Sequence, residues 1–352
     1  MKKFRNSCRA FLIFVSKIIT CFTVCAYFTF SLEKPCSDLV SKKTNIIVGF
    51  YGTSAQDPDV LTLKKALHKG KIAGFILYGR NIVNPKQLKS LISFLKKDAP
   101  RAIVAIDQEG GMVARLKTED GFIDSGAMLA AADYKNVKQV MAYHRRAARE
   151  MRQLGINMVF GPVADLNTNP NCPIIGQKRR SFSDNPDIVA EYCNAIIAVY
   201  KKNGIKACIK HAPGHGSATT DSHLGASDVS DTWDKRELIP FIMCSKKHPG
   251  VAIMMAHVFN RTLDPKFPAS MSQKTINRIN RDLKKSGANV MPLYVTDAYE
   301  MKAISDKYTP KEFLDHSKKI GINLVLLFCD NGIYGKEYRL QNFLIEKLHK
   351  KL

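Results

Sequence analysis

"SDNPDIVAEYCNAIIAVYKKNGIKACIKHAPGHG", residues 183–216, holds one whole structural unit in a single stretch. Asn185 and Pro186 supply a helix start, an amphipathic run follows, and Gly204 supplies the stop. Ile205 then opens a short apolar run that ends on Lys210 and His211. A strand apolar on both faces and fed by a helix belongs in a parallel sheet. Its polar end asks whether other strands end in the same way.

They do. Apolar, β-rich runs begin at Asn45, Ile72, Ala102, Ile156, Ile205, Val251, Val290 and Ile322. Helix-like stretches such as "PKQLKSLISFLKK", "VKQVMAYHRRAAREMRQLG", "SQKTINRINRDLKKSG" and "TPKEFLDHSKKIG" lie between them. The alternation runs from residue 45 to 352 without a composition break, which predicts one catalytic domain and no second one. Eight units in roughly 300 residues predict an α/β fold of the closed (β/α)8 TIM-type barrel rather than an open doubly wound sheet. The missing GxGxxG after the first run argues against dinucleotide binding. In this barrel chemistry sits where strands end. Asp107 and Glu109, Asp165, Lys210 and His211, His257, Asp297 and Asp330 all end successive runs, so polar groups are expected to converge on one mouth.

The chain has 352 residues, 45% of them hydrophobic, enough for a large packed core. It carries 54 Lys and Arg against 31 Asp and Glu, a formal net charge of +23. Much of the excess lies in lysine pairs along predicted helices ("LKKAL", "FLKKDAP", "YKKNG", "DLKKSG", "LHKKL"), read as solvated faces rather than one binding stripe. No basic run interleaved with aromatics points to nucleic acid. Nine cysteines without a CxxC pair or zinc-type spacing give no disulfide framework, and Cys208 and Cys329 in apolar runs read as buried thiols. Residues 1–36 differ from the rest: Lys2, Lys3, Arg5 and Arg9 precede an apolar run at 11–32, about 33 Å long as a helix. This segment reads as a signal or membrane anchor, with the body exported or tethered to the inner membrane and facing outward. Free thiols favour the alternative, a cytoplasmic enzyme with an apolar extension.

Two carboxylates across a barrel mouth suit glycosidic bond cleavage. Asp297 in "YVTDAYEM" ends a strand and is placed for attack, while Asp107 in "IDQEGG" has glycines that allow close ligand approach and so reads as binding. The histidines His211, His215, His223 and His257 would suit a zinc-dependent amidohydrolase, yet the His-x-His expected at the first strand of that class is missing. "DSH" offers another use: Asp221 can accept a hydrogen bond from one nitrogen of His223, fixing a tautomer suited to proton transfer. The glycines around it read as hinges and room for approach, and His215 is left without a chemical role.

"IDQEGGMVARL", "GPVADLN", "RSFSDNPDIVA", "IKHAPGHGSATTDSH", "MMAHV" and "VTDAYEMKAI" together resemble glycoside hydrolase family 3, in its single-domain bacterial β-N-acetylhexosaminidase branch, over about residues 45–330. The resemblance implies a retaining enzyme that removes terminal non-reducing N-acetylglucosamine from peptidoglycan fragments. It implies Asp297 as nucleophile and an Asp221–His223 acid/base dyad on a mobile loop. It implies sugar contacts from Asp107, Arg115, Arg180, Lys210 and His211, with neither metal nor organic cofactor. The implied partners are a muropeptide or chitooligosaccharide substrate and no nucleic acid. A monomer is expected, with a membrane reached through residues 11–32. Both water and phosphate remain open as glycosyl acceptors. Met112, Ala212, Thr296, Ala298 and Tyr299 depart from the family pattern, and Ala212 and Tyr299 bear on pocket shape. The altered "TDAY" also motivates a rival, a catalytically silent membrane-tethered sugar-binding protein.

Overall fold

A computed structural model of the protein describes residues 45–329. The apolar run at 11–32 and the residues from Asp330 onward lie outside the described residues. Strands and helices alternate in the order β1 (Ile46–Val48), α1 (Pro58–His68), β2 (Gly74–Leu77), α2 (Pro85–Lys96), β3 (Ile103–Ile106), α3 (Val137–Leu154), β4 (Met158–Val159) and α4 (Pro186–Lys202). They continue as β5 (Lys206–Ala212), α5 (Ile239–Lys247), β6 (Ala252–Met255), α6 (Gln273–Lys285), β7 (Leu293–Ala298), α7 (Pro310–Lys319) and β8 (Leu324–Leu327). Every strand pairs in parallel with its neighbours, and β1 pairs with β8 to close the barrel. Each of the eight runs read from the sequence contains one barrel strand, shorter than the run itself.

The helix boundaries follow local chemistry. The Asn185 side chain accepts from the Asp187 N–H, Pro186 occupies the first turn of α4, and Gly204 takes φ +66° just beyond it. Thr309 and Glu312 form a reciprocal capping box at α7. Two apolar layers explain why the strands show no polar face. Ile47, Ile76, Ile103, Met158, Cys208 and Val295 fill the barrel interior, while Val48, Phe75, Leu91, Val140 and Ile196 pack between strands and helices.

A two-stranded parallel ribbon, Ser227–Asp228 with Val258–Phe259, ties the β5–α5 connection to the β6–α6 connection. Among the described residues no helix is long and apolar enough to cross a membrane.

Candidate functional site

The strand ends converge as the alternation predicts. A cavity of about 360 Å³ opens at the C-terminal end of the barrel, lined by Asp107, Arg115, Arg180, Lys210, His211, His223 and Asp297. Seven of the eight residues read from the sequence line it, and the eighth, Asp221, stands behind His223. Tyr78, Arg80, Glu109, Met112, Lys178 and Phe328 also stand in the wall, with Val113, Met254 and Leu326. That volume lies within the range of small-molecule sites.

One side of the cavity is a charged network. Lys210 Nζ lies 2.7 Å from Asp107 Oδ1 and 2.6 Å from Glu109 Oε1. Arg180 grips Glu109 through two parallel bonds, Nε to Oε2 and Nη2 to Oε1, each 2.8 Å. Arg180 also donates to the Ile174 carbonyl at 2.8 Å, and its Nη2 lies 3.3 Å from His211 Nε2. Four of its five N–H groups are thus engaged, which leaves one for a ligand. Arg115 Nη2 sits 3.7 Å from Asp107 Oδ2, and its buried Nε has no partner among the described residues. Gln108 sets the arginine's place by accepting from the Arg115 and Leu116 N–H groups and donating to the Leu116 and Ser125 carbonyls.

Glu109, in the sequence one more polar strand end, is the centre of this network. Burial alone would raise its carboxyl, but the Arg180 guanidinium and the Lys210 ammonium hold it well below the usual carboxylate range. Burial would likewise lower Lys210, and Asp107 with Glu109 reverses that. Glu109→Ala therefore leaves two buried cations without their shared counter-charge and is expected to cost about 3–5 kcal/mol of stability. Because the folded carboxyl is depressed, its contribution is fully present above the ordinary value of about 4.3 and is lost as pH falls through the lower folded value. Thermal denaturation across pH checks this. A variant that melts within about 1 °C of the parent would remove Glu109 from this role.

Asp165 is the second residue whose weight the sequence hid. It is fully buried, accepts from the His211 N–H and the His215 N–H, and lies 2.6 Å from His211 Nδ1. Burial pushes its carboxyl up, but the His211 charge and hydrogen bonds outweigh this and leave it lowered. With Nδ1 donating to Asp165, His211 keeps Nε2 as the acceptor for Arg180.

The segment quoted at the outset continues as an anchored arm. Gly214 and Gly216 are packed rather than hinged: a Cβ at Gly216 would meet the Leu166 carbonyl oxygen at 1.7 Å, and one at Gly214, whose φ is +125°, would meet Glu237 at 2.5 Å. This corrects the hinge reading for both glycines. His215 gains a role here. Burial and the nearby His211 push it down to about 4, and its Nε2 lies 3.0 Å from Ser222 Oγ. Ser222, fully buried, immediately precedes His223. The Ser222 and His223 carbonyls in turn accept from Ala303 N–H and Lys302 N–H, just beyond the strand that carries Asp297. The loop is thereby latched at both faces.

Asp221 Oδ1 accepts from the His223 N–H at 2.9 Å and lies 2.7 Å from His223 Nδ1. Burial would raise Asp221, but the His223 hydrogen bonds and charge leave it lowered. Nδ1 is therefore the donor toward Asp221, and Nε2 is the ring nitrogen for proton traffic. Opposite, Asp297 accepts from its own Ala298 N–H at 2.8 Å. Burial raises its carboxyl, whereas the surrounding imidazoles of His257, His211 and His223 and the Ala298 N–H bring it below the ordinary value. His257 lies beneath the strand end: Nε2 donates to the Ala298 carbonyl at 2.8 Å and Nδ1 pairs with Ser270 Oγ at 2.7 Å.

The four histidines of the zinc reading thus face four different partners. Among the described residues no three His, Cys, Asp or Glu side chains group as a metal site. Two departures from the family pattern, Ala212 and Tyr299, are not part of the cavity wall. Ala212 is buried in β5, and Tyr299 packs on Phe313 with its hydroxyl donating to the Tyr308 carbonyl. Met112, 71% exposed, is the departure that reaches the cavity rim.

Comparison with known proteins agrees with this geometry. The family described as Glycosyl hydrolase family 3 N terminal domain matches residues 54–346. Beta-hexosaminidase A of Pseudoalteromonas piscicida is 33% identical over 288 residues, covering 75% of this chain and 47% of that protein. Beta-hexosaminidase of Xanthomonas oryzae pv. oryzae is 33% identical over 248 residues, covering 67% of this chain and 70% of its own length. Among solved structures, NagZ from Neisseria gonorrhoeae in complex with N-trifluoroacetyl-D-glucosamine superposes with a TM-score of 0.70 at 27% identity, covering 88% of this chain and 85% of the other. A glycoside hydrolase family 3 beta-N-acetylglucosaminidase from Paenibacillus sp. str. FPU-7 gives a TM-score of 0.69 at 30% identity, covering 81% and 54%. The chain spans about half the length of the Pseudoalteromonas and Paenibacillus proteins. With that match over most of its length, and with a closed parallel barrel whose strand ends carry the family's motifs, the chain belongs to glycosyl hydrolase family 3.

Proposed function

We propose that the protein is a retaining β-N-acetylhexosaminidase that releases terminal non-reducing N-acetylglucosamine from peptidoglycan fragments. The observation that carries this reading is the pairing, across one cavity, of the ionised Asp297 with His223 held through Nδ1 by Asp221. In the first step an Asp297 oxygen attacks the anomeric carbon while His223 Nε2 gives its proton to the departing glycosidic oxygen. In the second, His223 takes a proton from water, the hydroxide adds to the anomeric carbon, and Asp297 leaves as carboxylate. Lys210, Arg115 and the remaining Arg180 N–H supply charged donors for sugar hydroxyls, Asp107 supplies an acceptor, and His211 meets the sugar with a ring that Asp165 and Arg180 hold in place. The hexosaminidase names of the relatives support the sugar, and the N-trifluoroacetyl-D-glucosamine held by the Neisseria protein supports the N-acyl group.

The test is hydrolysis of a chromogenic β-N-acetylglucosaminide with the product anomer followed by NMR. Release of the chromophore with the β-anomer formed first is the expected result. Sugar binding without release would favour the catalytically silent reading, and an initial α-anomer would remove the glycosyl-enzyme.

A further inference from the structure

The lysine pairs that read in the sequence as scattered solvated faces are gathered by the fold. Parallel strands oblige every helix to run back on the outside, so all helix C-termini lie at the end of the barrel where strands begin, opposite the cavity. The last turns of α1–α7 and their connections to the next strands hold fifteen Lys and Arg against two carboxylates, Asp98 and Asp282. Both carboxylates are engaged by bases outside this set, Lys64 and Arg278. Thirteen of the fifteen are exposed; only Lys71 and Lys96 are half-buried. The connections at the mouth end have the opposite balance, thirteen Lys and Arg against seventeen Asp and Glu.

A basic residue in a helix's last turn complements the helix dipole, which accounts for one such residue per helix. It does not account for the pairs at Lys201–Lys202, Lys246–Lys247, Lys284–Lys285 and Lys318–Lys319, nor for Lys69, Lys71, Lys97 and Arg101 in the connections. Burial, and after it the adjacent Arg152 charge, lower the Lys96 ammonium.

We propose that this rear face docks on an anionic phospholipid surface and leaves the catalytic mouth pointing away from it. Thirteen of the fifteen are lysines, point charges suited to diffuse headgroup attraction rather than to the bidentate recognition that arginine provides. The chain's connectivity favours a bilayer over a soluble polyanion. β1 begins at this same end, and only thirteen residues separate Ile46 from the apolar run ending at Leu32, a reach of at most about 45 Å.

Brief amine acetylation of the full-length chain, read by mass spectrometry, tests this on phosphatidylcholine vesicles with and without about one-third phosphatidylglycerol. Lys69, Lys97, Lys202, Lys247, Lys285 and Lys319 are expected to become at least about threefold less reactive on the anionic vesicles and to recover in high salt, while Lys135 and Lys266 at the mouth stay unchanged. Changing the four lysine pairs together to glutamine, with the denaturation midpoint as the folding control, is expected to return Lys69 and Lys97 to their reactivity on phosphatidylcholine. The wild-type footprint decides alone if that variant does not fold. Equal shielding of both ends, indifference to phosphatidylglycerol, or shielding by soluble polyphosphate but not by vesicles would overturn the proposal.

Discussion

Asp297→Ala is expected to lower kcat on a chromogenic N-acetylglucosaminide by at least about 10⁴-fold, because no other carboxylate in the cavity is placed to form the glycosyl-enzyme. Asp107 and Glu109 are tied to Lys210, and Asp165 is buried behind His211. The fold should tolerate the change. Within β7 the Asp297 carboxylate accepts only from its own Ala298 N–H, while His257 holds the Ala298 carbonyl and Thr296 Oγ1 accepts from the Leu326 N–H across the β7–β8 pair. The surrounding imidazoles favour the Asp297 charge, so the denaturation midpoint is expected to fall modestly, by less than for Glu109→Ala, where two buried cations lose their shared counter-charge. Azide added to the variant should occupy the space of the lost carboxylate and yield the α-glycosyl azide. Because the folded carboxyl is depressed, Asp297 itself stays ionised as pH falls to the ordinary carboxylate value of about 3.9, so a loss of activity at higher pH would belong to another group. Turnover of the variant within about tenfold of the parent would remove Asp297 from the mechanism.

The barrel was legible in the sequence because one physical rule, apolar strands punctuated by glycine-stopped helices, repeats without interruption. Strand ends were legible for the same reason: in a parallel barrel the first charged residue after an apolar run faces the mouth. Partnership within the mouth was not legible. Glu109 stands two residues after Asp107, and nothing in "DQEGG" says that the second acid takes both Arg180 and Lys210 while the first shares only Lys210 and Arg115. The chain brings those groups together from β3, the β4–α4 connection and β5, and such assembly is set by strand register and not by local pattern. The same holds for His215, whose latch to Ser222 depends on Asp165 fixing the His215 backbone. Glycine misled in a different way. Its composition signals freedom, but Gly216 is required because the chain passes so close to Leu166 that no side chain fits.

His223→Ala should separate the two steps that its one side chain serves. With a poor leaving group both protonation and water activation are lost, and kcat/KM is expected to fall by about 10²–10⁴-fold. With a dinitrophenyl leaving group the first step needs no proton, so kcat/KM should stay within about tenfold of the parent. The second step still lacks its base. The glycosyl-enzyme on Asp297 then accumulates, visible as a burst of released phenol and a lowered KM, and it can be isolated by mass spectrometry. Asp221→Asn is expected to give a weaker version of the same pattern, since the amide oxygen still accepts from Nδ1 but the charge that supports the imidazolium is gone. If both leaving groups suffer equally, the loss belongs to binding or to the loop latch and not to proton transfer. The latch provides its own control. Ser222→Ala leaves the imidazole in place but frees the loop from His215 Nε2, so its effect should fall on both substrates alike and be recovered by Ser222→Thr. A dependence on leaving group that follows His223 and not Ser222 would therefore assign the proton to this imidazole and the geometry to the arm that carries it.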